Sequence, residues 1–95
     1  MASTWIRWTL LPTGWEERLK KLEVPPVIVW CLEVNDLVVS KLNAGRIKDY
    51  EFIHAMLRLR LADLGTLEQR IQTFPDPVLQ ARLLARLRMS LEGLP

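Results

Sequence analysis

The chain has 95 residues, which is enough for one small domain. Hydrophobic residues make up 49% of it and charged residues 25%, a balance that is typical of globular proteins and argues against intrinsic disorder. The formal net charge of +2 comes from cations spread along the whole chain, whereas nucleic-acid-binding proteins usually cluster theirs on one face. We therefore expect a folded domain that does not bind nucleic acid.

The sequence carries no pattern typical of membrane insertion or export. Its longest apolar run, residues 24–32, has nine residues, against about 18 for a transmembrane helix. The N-terminus lacks a basic stretch followed by an apolar one, so no signal peptide is expected. Cys31 is the single cysteine and has no partner for an internal disulfide, which is typical of a reducing compartment. These features predict a cytoplasmic protein that does not enter a membrane.

A strand and a helix are predicted at the start of the chain. Alternating apolar and polar residues predict a short strand over 4–11. Thr13 and Glu16 have the spacing of a capping box, and the apolar residues that follow recur at helical intervals. This pattern predicts a helix that continues to Leu22 and stops at Pro25 and Pro26.

The segment 27–32 predicts a second strand with an unusual requirement. It is β-branched or aromatic at successive positions, which is typical of a strand covered on both faces. The other strand candidate is the segment 4–11, and a sheet of two strands is only marginally stable in water. We therefore expect a second copy of the chain, or a partner protein, to complete the sheet through these strands. Cys31 is expected to be a small buried hydrophobic residue.

The rest of the chain predicts helices. The first covers residues 33–43 and ends before Gly45, a favourable residue after a helix C-terminus. The second covers residues 47–61, and the third opens at Thr66 with a capping-box pattern. The last begins at Pro77.

These elements predict a mainly helical α+β fold. We expect four to five helices and a small two-stranded β element on the N-terminal side. All 95 residues are expected to form a single domain. Within it, residues 1–32 are predicted to form a strand–helix–strand part and residues 33–95 a helical part.

A polar cluster is predicted around the turn between the first two of these helices. Asp49 falls on the apolar side of its helix, and a buried carboxylate needs partners because an unpaired buried charge is very costly. Lys41, Arg46 and Lys48 are the cations within reach. Two interpretations stay open: a structural knot that fixes the helix crossing, or a site for a nucleotide or another anion. The candidate residues are Asp36, Lys41, Arg46, Lys48 and Asp49.

The residue types needed for most catalytic sites are scarce. One histidine, His54, and one cysteine cannot form a metal cluster or a Cys–His pair with a third partner. The sequence has no glycine-rich loop of the kind that cradles phosphates. We therefore predict no catalytic residues, no metal site and no cofactor.

Two motifs resemble a known family. Residues 11–19 fit Leu-Pro-x-Gly-Trp-x-x-Arg-Leu, and residues 36–49 fit Asp-Leu-x-x-x-Lys-Leu-x-Ala-x-Arg-x-Lys-Asp. In these motifs the chain resembles the C-terminal half of an uncharacterised, nucleotidyltransferase-like bacterial family that is related to the abortive-infection nucleotidyltransferase toxins. The resemblance implies that Lys41 and Asp49 lie beside a nucleotide cleft, where the lysine would contact triphosphate and the aspartate would assist catalysis.

One feature of that superfamily is missing. Its members carry a glycine turn followed by an Asp-x-Asp/Glu pair that binds magnesium, and nothing before residue 10 matches it. Asp49 and Glu51 have the spacing of the pair but stand at a predicted helix start without the turn. The resemblance therefore implies a C-terminal helical fragment that is not catalytic alone, and the uncovered strand predicts that this fragment self-associates. The alternatives are an antitoxin-like protein-interaction module, or one half of a split nucleotidyltransferase.

Overall fold

The computed structural model describes residues 11–92, which form a β-hairpin followed by four helices. Its elements, after a 3₁₀ turn at Trp15–Arg18, are β1 (Lys20–Val24), β2 (Val27–Cys31), α1 (Val34–Ala44), α2 (Ile47–Arg58), α3 (Leu64–Ile71) and α4 (Pro77–Glu92). The predicted fold class, mainly helical with a two-stranded β element on the N-terminal side, is confirmed. The predicted strand over 4–11 falls outside the described residues, apart from Leu11. No helix in the described part is long and apolar enough to cross a membrane.

The hairpin occupies the place of a predicted helix. The helix predicted from Thr13 to Leu22 is wrong, because the 3₁₀ turn gives way to strand β1 at Lys20. Strand β1 pairs antiparallel with β2, with Leu22 opposite Val29. The two prolines between the strands, which were expected to end a helix, form the two-residue connection of the hairpin. Backbone pairing with β2 therefore outweighs the helical spacing of the apolar residues.

The predicted strand over 27–32 is confirmed as β2, but the helices leave it uncovered. All ten residues of the two strands are exposed. The strands contact mainly each other, whereas α1 contacts each of the other three helices. The expectation that Cys31 is buried is wrong, because the hairpin extends away from the core. Its apolar side chains are exposed as a group: Leu22, Val24, Val27, Ile28, Val29 and Trp30.

Local sequence signals explain most of the helix boundaries. Helix α1 ends where Gly45 adopts a left-handed backbone with φ of 65°, as predicted. Helix α4 begins at Pro77, as predicted. The predicted start of the third helix at Thr66 is wrong, because Asp63 caps α3 and its side chain accepts the Thr66 N–H at 2.9 Å.

The core lies between the four helices, with α1 at its centre. Val38, Val39 and Leu42 form the core face of α1, and all three are fully buried. The other helices contribute Ile53 from α2, Leu67 and Ile71 from α3, and Leu83 and Leu87 from α4. Because α1 is surrounded, the polar residues at its margins face neighbouring elements. This arrangement positions both Asp36, in the first turn of α1, and Lys41, in its last turn.

Candidate functional site

The structure separates the five candidate residues into two clusters. Lys41, Arg46 and Asp49 form one, between α1 and the start of α2, which we call the Asp49 cluster. Asp36 belongs to another, at the start of α1. Lys48 is exposed and forms no ion pair with any residue in the range 11–92. The prediction that these residues share one site is therefore not met.

Asp49 is the buried centre of its cluster, with 1% of its surface exposed. The Arg46 side chain donates from Nε to Oδ2 at 2.8 Å and from Nη2 to Oδ1 at 3.3 Å. The backbone N–H of Arg46 also donates to Oδ2, at 3.1 Å, which caps the start of α2. Lys41 stands farther away, with Nζ 3.6 Å from Oδ1. Arg46 therefore provides the hydrogen bonds to the carboxylate, and Lys41 adds a charge interaction without a hydrogen bond.

These contacts keep Asp49 charged despite its burial. The side-chain hydrogen bond from Arg46 lowers the pKa of Asp49, and it outweighs burial, which acts in the opposite direction. The backbone N–H of Arg46 and the charges of Arg46 and Lys41 lower the pKa further. Two cations thus face one carboxylate, which leaves the Asp49 cluster with an excess of one positive charge.

The second cluster, here called the Asp36 cluster, consists of Arg18, Glu33, Asp36 and Arg70. Asp36 is fully buried and accepts two hydrogen bonds from Arg18, from Nε to Oδ2 and from Nη2 to Oδ1, each at 2.8 Å. Such a bidentate pair is the strongest geometry for arginine and carboxylate. Arg70 donates from Nη1 to Asp36 Oδ1 at 3.2 Å. A single carboxylate therefore ties the segment before β1 and helix α3 to α1.

Glu33 completes the Asp36 cluster by capping α1. Its side chain accepts from the backbone N–H groups of Asn35 and Asp36, at 3.1 and 3.3 Å, and also pairs with Arg70. Burial is the largest single influence and raises the pKa of Glu33. The hydrogen bonds from Asn35 and Arg70 together outweigh it, so the pKa is lowered. Glu33 is therefore held as a carboxylate where the helix dipole favours a negative charge.

Sequence reasoning missed Arg18 and Arg70 as partners of Asp36. Arg18 is a fixed position of the first motif and Asp36 of the second, so the two motifs offered a signal for this pair. Arg70 lies 34 positions from Asp36 in the sequence, and nothing in its local pattern indicates the contact. Only the packing of α3 against α1 brings it there.

The comparison with protein families agrees with the resemblance in the two motifs. Residues 6–90 match the family described as nucleotidyltransferase of unknown function, DUF6036. The chain belongs to this family. No curated protein and no solved structure matches it. The predicted nucleotidyltransferase-like family is thus confirmed, whereas a bacterial source, a C-terminal position and a relation to abortive-infection toxins stay predictions.

The described residues of this DUF6036 chain do not fit a magnesium-binding carboxylate pair. Asp49 and Glu51 have the required spacing, but Asp49 is buried against Arg46 while Glu51 is exposed. Both carboxylate oxygens of Asp36 accept hydrogen bonds from Arg18. Within residues 11–92 no three histidine, cysteine, aspartate or glutamate side chains form a group that could hold a metal ion. In both clusters the carboxylates are already paired with cations, which leaves no free carboxylate there for a metal ion.

A groove in this DUF6036 chain lies apart from both clusters. It has a volume of about 260 Å³ and is formed by α3 and α4. Leucines and two opposite charges line it: Leu64, Glu68, Gln72, Leu84, Leu87, Arg88 and Leu91. None of these residues was a candidate from the sequence.

Proposed function

We propose that this chain is the helical, non-catalytic part of a cytoplasmic nucleotidyltransferase-like protein, and that it self-associates through the hairpin. The exposed hairpin is the observation that carries the proposal. Soluble proteins rarely leave large apolar patches in water unless these serve as interaction surfaces. A position in the C-terminal part and a relation to the bacterial abortive-infection toxins belong to the same proposal, on the strength of the motifs.

The state of the buried carboxylates supports the non-catalytic half of the proposal. Transfer of a nucleotidyl group relies on metal ions that hold and polarise phosphates. Asp36 and Asp49 are the two buried carboxylates of the described chain, and each accepts hydrogen bonds from an arginine. To bind a metal, either carboxylate would have to give up an ion pair in which it is already desolvated.

The Asp49 cluster supports a second role, that of a weak site for phosphate or nucleotide. Arg46 is 57% exposed although two of its nitrogens bind Asp49, so the rest of its guanidinium faces solvent. Lys41 lies over the Phe52 ring, with Nζ 5.6 Å from the ring centre. The excess positive charge and the exposed guanidinium are suited to an anion, without providing catalysis.

Sedimentation velocity at micromolar concentration tests self-association. We expect the wild-type chain to sediment as a dimer and Ile28→Lys, on β2, to sediment as a monomer, because each lysine would carry a charge into the apolar contact. Ile47→Lys is the matched control, since Ile47 lies on α2 and is 81% exposed. A monomeric wild-type chain would contradict self-association through the hairpin.

A labelling assay tests the non-catalytic role. The chain is incubated with magnesium and labelled nucleoside triphosphates, and transfer to protein or added RNA is measured. We expect no labelling above that of a heat-denatured sample. Magnesium-dependent labelling by the isolated chain would overturn this half of the proposal, and labelling only with a second protein present would favour the split-enzyme alternative.

A further inference from the structure

The two edges of the hairpin differ sharply in charge. The β1 strand carries Lys20, Lys21 and Glu23 among its five residues, whereas β2 reads Val-Ile-Val-Trp-Cys and carries no charge. Natural proteins protect open sheet edges with charged residues, lysine above all. Strand β1 thus has the composition of a strand at the outer edge of a sheet. Strand β2 has the composition of an interior strand, although within residues 11–92 it pairs on one side only.

We propose that β2 pairs with β2 of a second copy, antiparallel and centred on Val29, to form a four-stranded sheet in the order β1-β2-β2-β1. The proposal deepens the self-association proposed above and rests on it. A second copy is the occupant that the composition favours, because an uncharged strand covers both Ile28 and Trp30 without burying an unpaired charge.

The register follows from symmetry. Residues that face each other in an antiparallel pair lie on the same face of the sheet, so in a symmetric pair one residue must stand directly opposite its own copy, with the two-fold axis midway between them. Centring on Val29 is the one choice that pairs all five residues of β2. It places Ile28 opposite Trp30 of the second copy, an aliphatic–aromatic contact of the kind that stabilises sheets. It also places Val27 opposite Cys31 of the second copy.

The need for the sheet to end at two copies explains why β2 rather than β1 forms the contact. Pairing through β2 leaves the two charged β1 strands as outer edges, so the sheet ends at two copies. Pairing through β1 would leave two uncharged strands open to further addition. In β1, Lys21 already pairs with Glu23 of the same strand, with Nζ 3.0 Å from Oε1, and needs no partner from another copy.

Disulfide trapping with Val27→Cys tests the register. In the proposed sheet each new cysteine faces the native Cys31 of the other copy, within the Cα separation of about 4.4–6.8 Å that a disulfide requires. With oxidised glutathione we expect a covalent dimer on a non-reducing gel. We expect none from the wild-type chain, because the two Cys31 residues are not paired with each other. Neither cysteine can reach the other within one chain, since they stand at the two ends of β2.

The matched control is Leu22→Cys combined with Cys31→Ser, because Leu22 lies at the centre of β1. It would cross-link only if two β1 strands met, and such a result would overturn the proposed edge. Sedimentation of the same samples under reducing conditions separates the two proposals. A dimer that Val27→Cys does not trap would overturn the register and leave self-association standing. A monomer would overturn both.

Discussion

Arg18 binds both oxygens of the buried Asp36 carboxylate, and the pair joins the two sequence motifs that relate this chain to its family. Gly14 has a left-handed backbone, with φ of 86°, and a Cβ there would lie 2.8 Å from Nη1 of Arg18. The same guanidinium donates from Nη2 to the Thr13 carbonyl at 3.1 Å. The first motif therefore holds Arg18 in position, and the second supplies the carboxylate that it binds.

Replacing Arg18 should destabilise the fold. Arg18→Met removes the bidentate partner of a fully buried carboxylate and leaves Arg70 as the one remaining cation on Asp36. We expect the free energy of unfolding to fall by about 2–4 kcal/mol, since breaking a buried pair from one side leaves charge uncompensated. Urea unfolding followed by circular dichroism measures the change.

The control for Arg18→Met is Lys21→Met, which breaks an exposed ion pair with Glu23. Exposed pairs contribute little, so the free energy of unfolding should change by less than about 1 kcal/mol. Equal effects of the two variants would show that the Asp36 pair does not stabilise the fold as its burial implies.

Replacement by alanine should lower the free energy of unfolding at Gly45 but not at Gly65. Gly45 has φ of 65°, and a Cβ there would lie 2.9 Å from Nη1 of Arg86, which donates to the Leu42 and Asn43 carbonyls at the end of α1. We expect Gly45→Ala to lower the free energy of unfolding by about 1–2 kcal/mol, because a left-handed backbone disfavours a side chain.

Gly65 is the matched position for that experiment. It lies inside α3, and a Cβ there would be 3.4 Å from its nearest neighbour, Asp63 Oδ2. Gly65→Ala should leave stability unchanged or raise it by up to about 1 kcal/mol, since alanine favours a helix. If Gly45→Ala were equally harmless, the contact of Arg86 with the end of α1 would not depend on a glycine at that position.

Acid should destabilise the protein through Asp49 and Glu33. Their pKa values are lowered in the folded chain from ordinary values of 3.8 and 4.5. Such groups contribute stability that is fully present above the unfolded pKa and is lost as the pH falls through the folded pKa. We therefore expect the urea midpoint to be level from neutral pH to about pH 5 and to fall below about pH 4.5.

The double variant Asp49→Asn with Glu33→Gln checks the source of this acid sensitivity. It should be less stable at neutral pH, because the arginine partners then face neutral groups, and its urea midpoint should depend less on pH below pH 4.5. An unchanged pH dependence in the variant would assign the acid sensitivity to other carboxylates.

The helical part of the fold could largely be predicted from local sequence. Gly45 and Pro77 mark helix ends through backbone preferences that need no tertiary contact. The hairpin could not, because β1 carries charges on both faces and so lacks the alternation that identifies a half-buried strand. Its strand conformation comes from pairing with β2, a contact that local spacing does not encode.

The candidate site shows the same division. The burial of Asp49 follows from its position on the apolar side of one helix, so periodicity indicated it, and Arg46 was one of the three cations that spacing placed within reach. The Asp36 cluster joins residues 18 and 34 positions apart in the sequence, and its geometry depends on how α3 packs against α1. Periodicity within a single helix carries no information about such contacts.

Lys41→Ala should separate anion binding from folding. Lys41 Nζ lies 3.6 Å from Asp49 Oδ1, beyond hydrogen-bonding distance, whereas Arg46 satisfies the carboxylate directly. The loss should therefore cost less than about 1 kcal/mol of stability, against about 2–5 kcal/mol for the core deletion Leu42→Ala. Titration with inorganic phosphate, followed by NMR chemical shifts, should show weaker binding by Lys41→Ala than by the wild-type chain.

The control for the phosphate titration is Lys20→Ala, which removes the same charge from the hairpin and leaves the Asp49 cluster intact. If both variants weaken phosphate binding equally, the effect reflects net charge rather than a site. If Lys41→Ala destabilises the chain as strongly as Leu42→Ala and the wild type shows no shifts with phosphate, the lysine serves the helix crossing alone. A site is indicated when the shifts centre on α1 and the start of α2 and are lost with Lys41, because the excess cation is then what holds the anion.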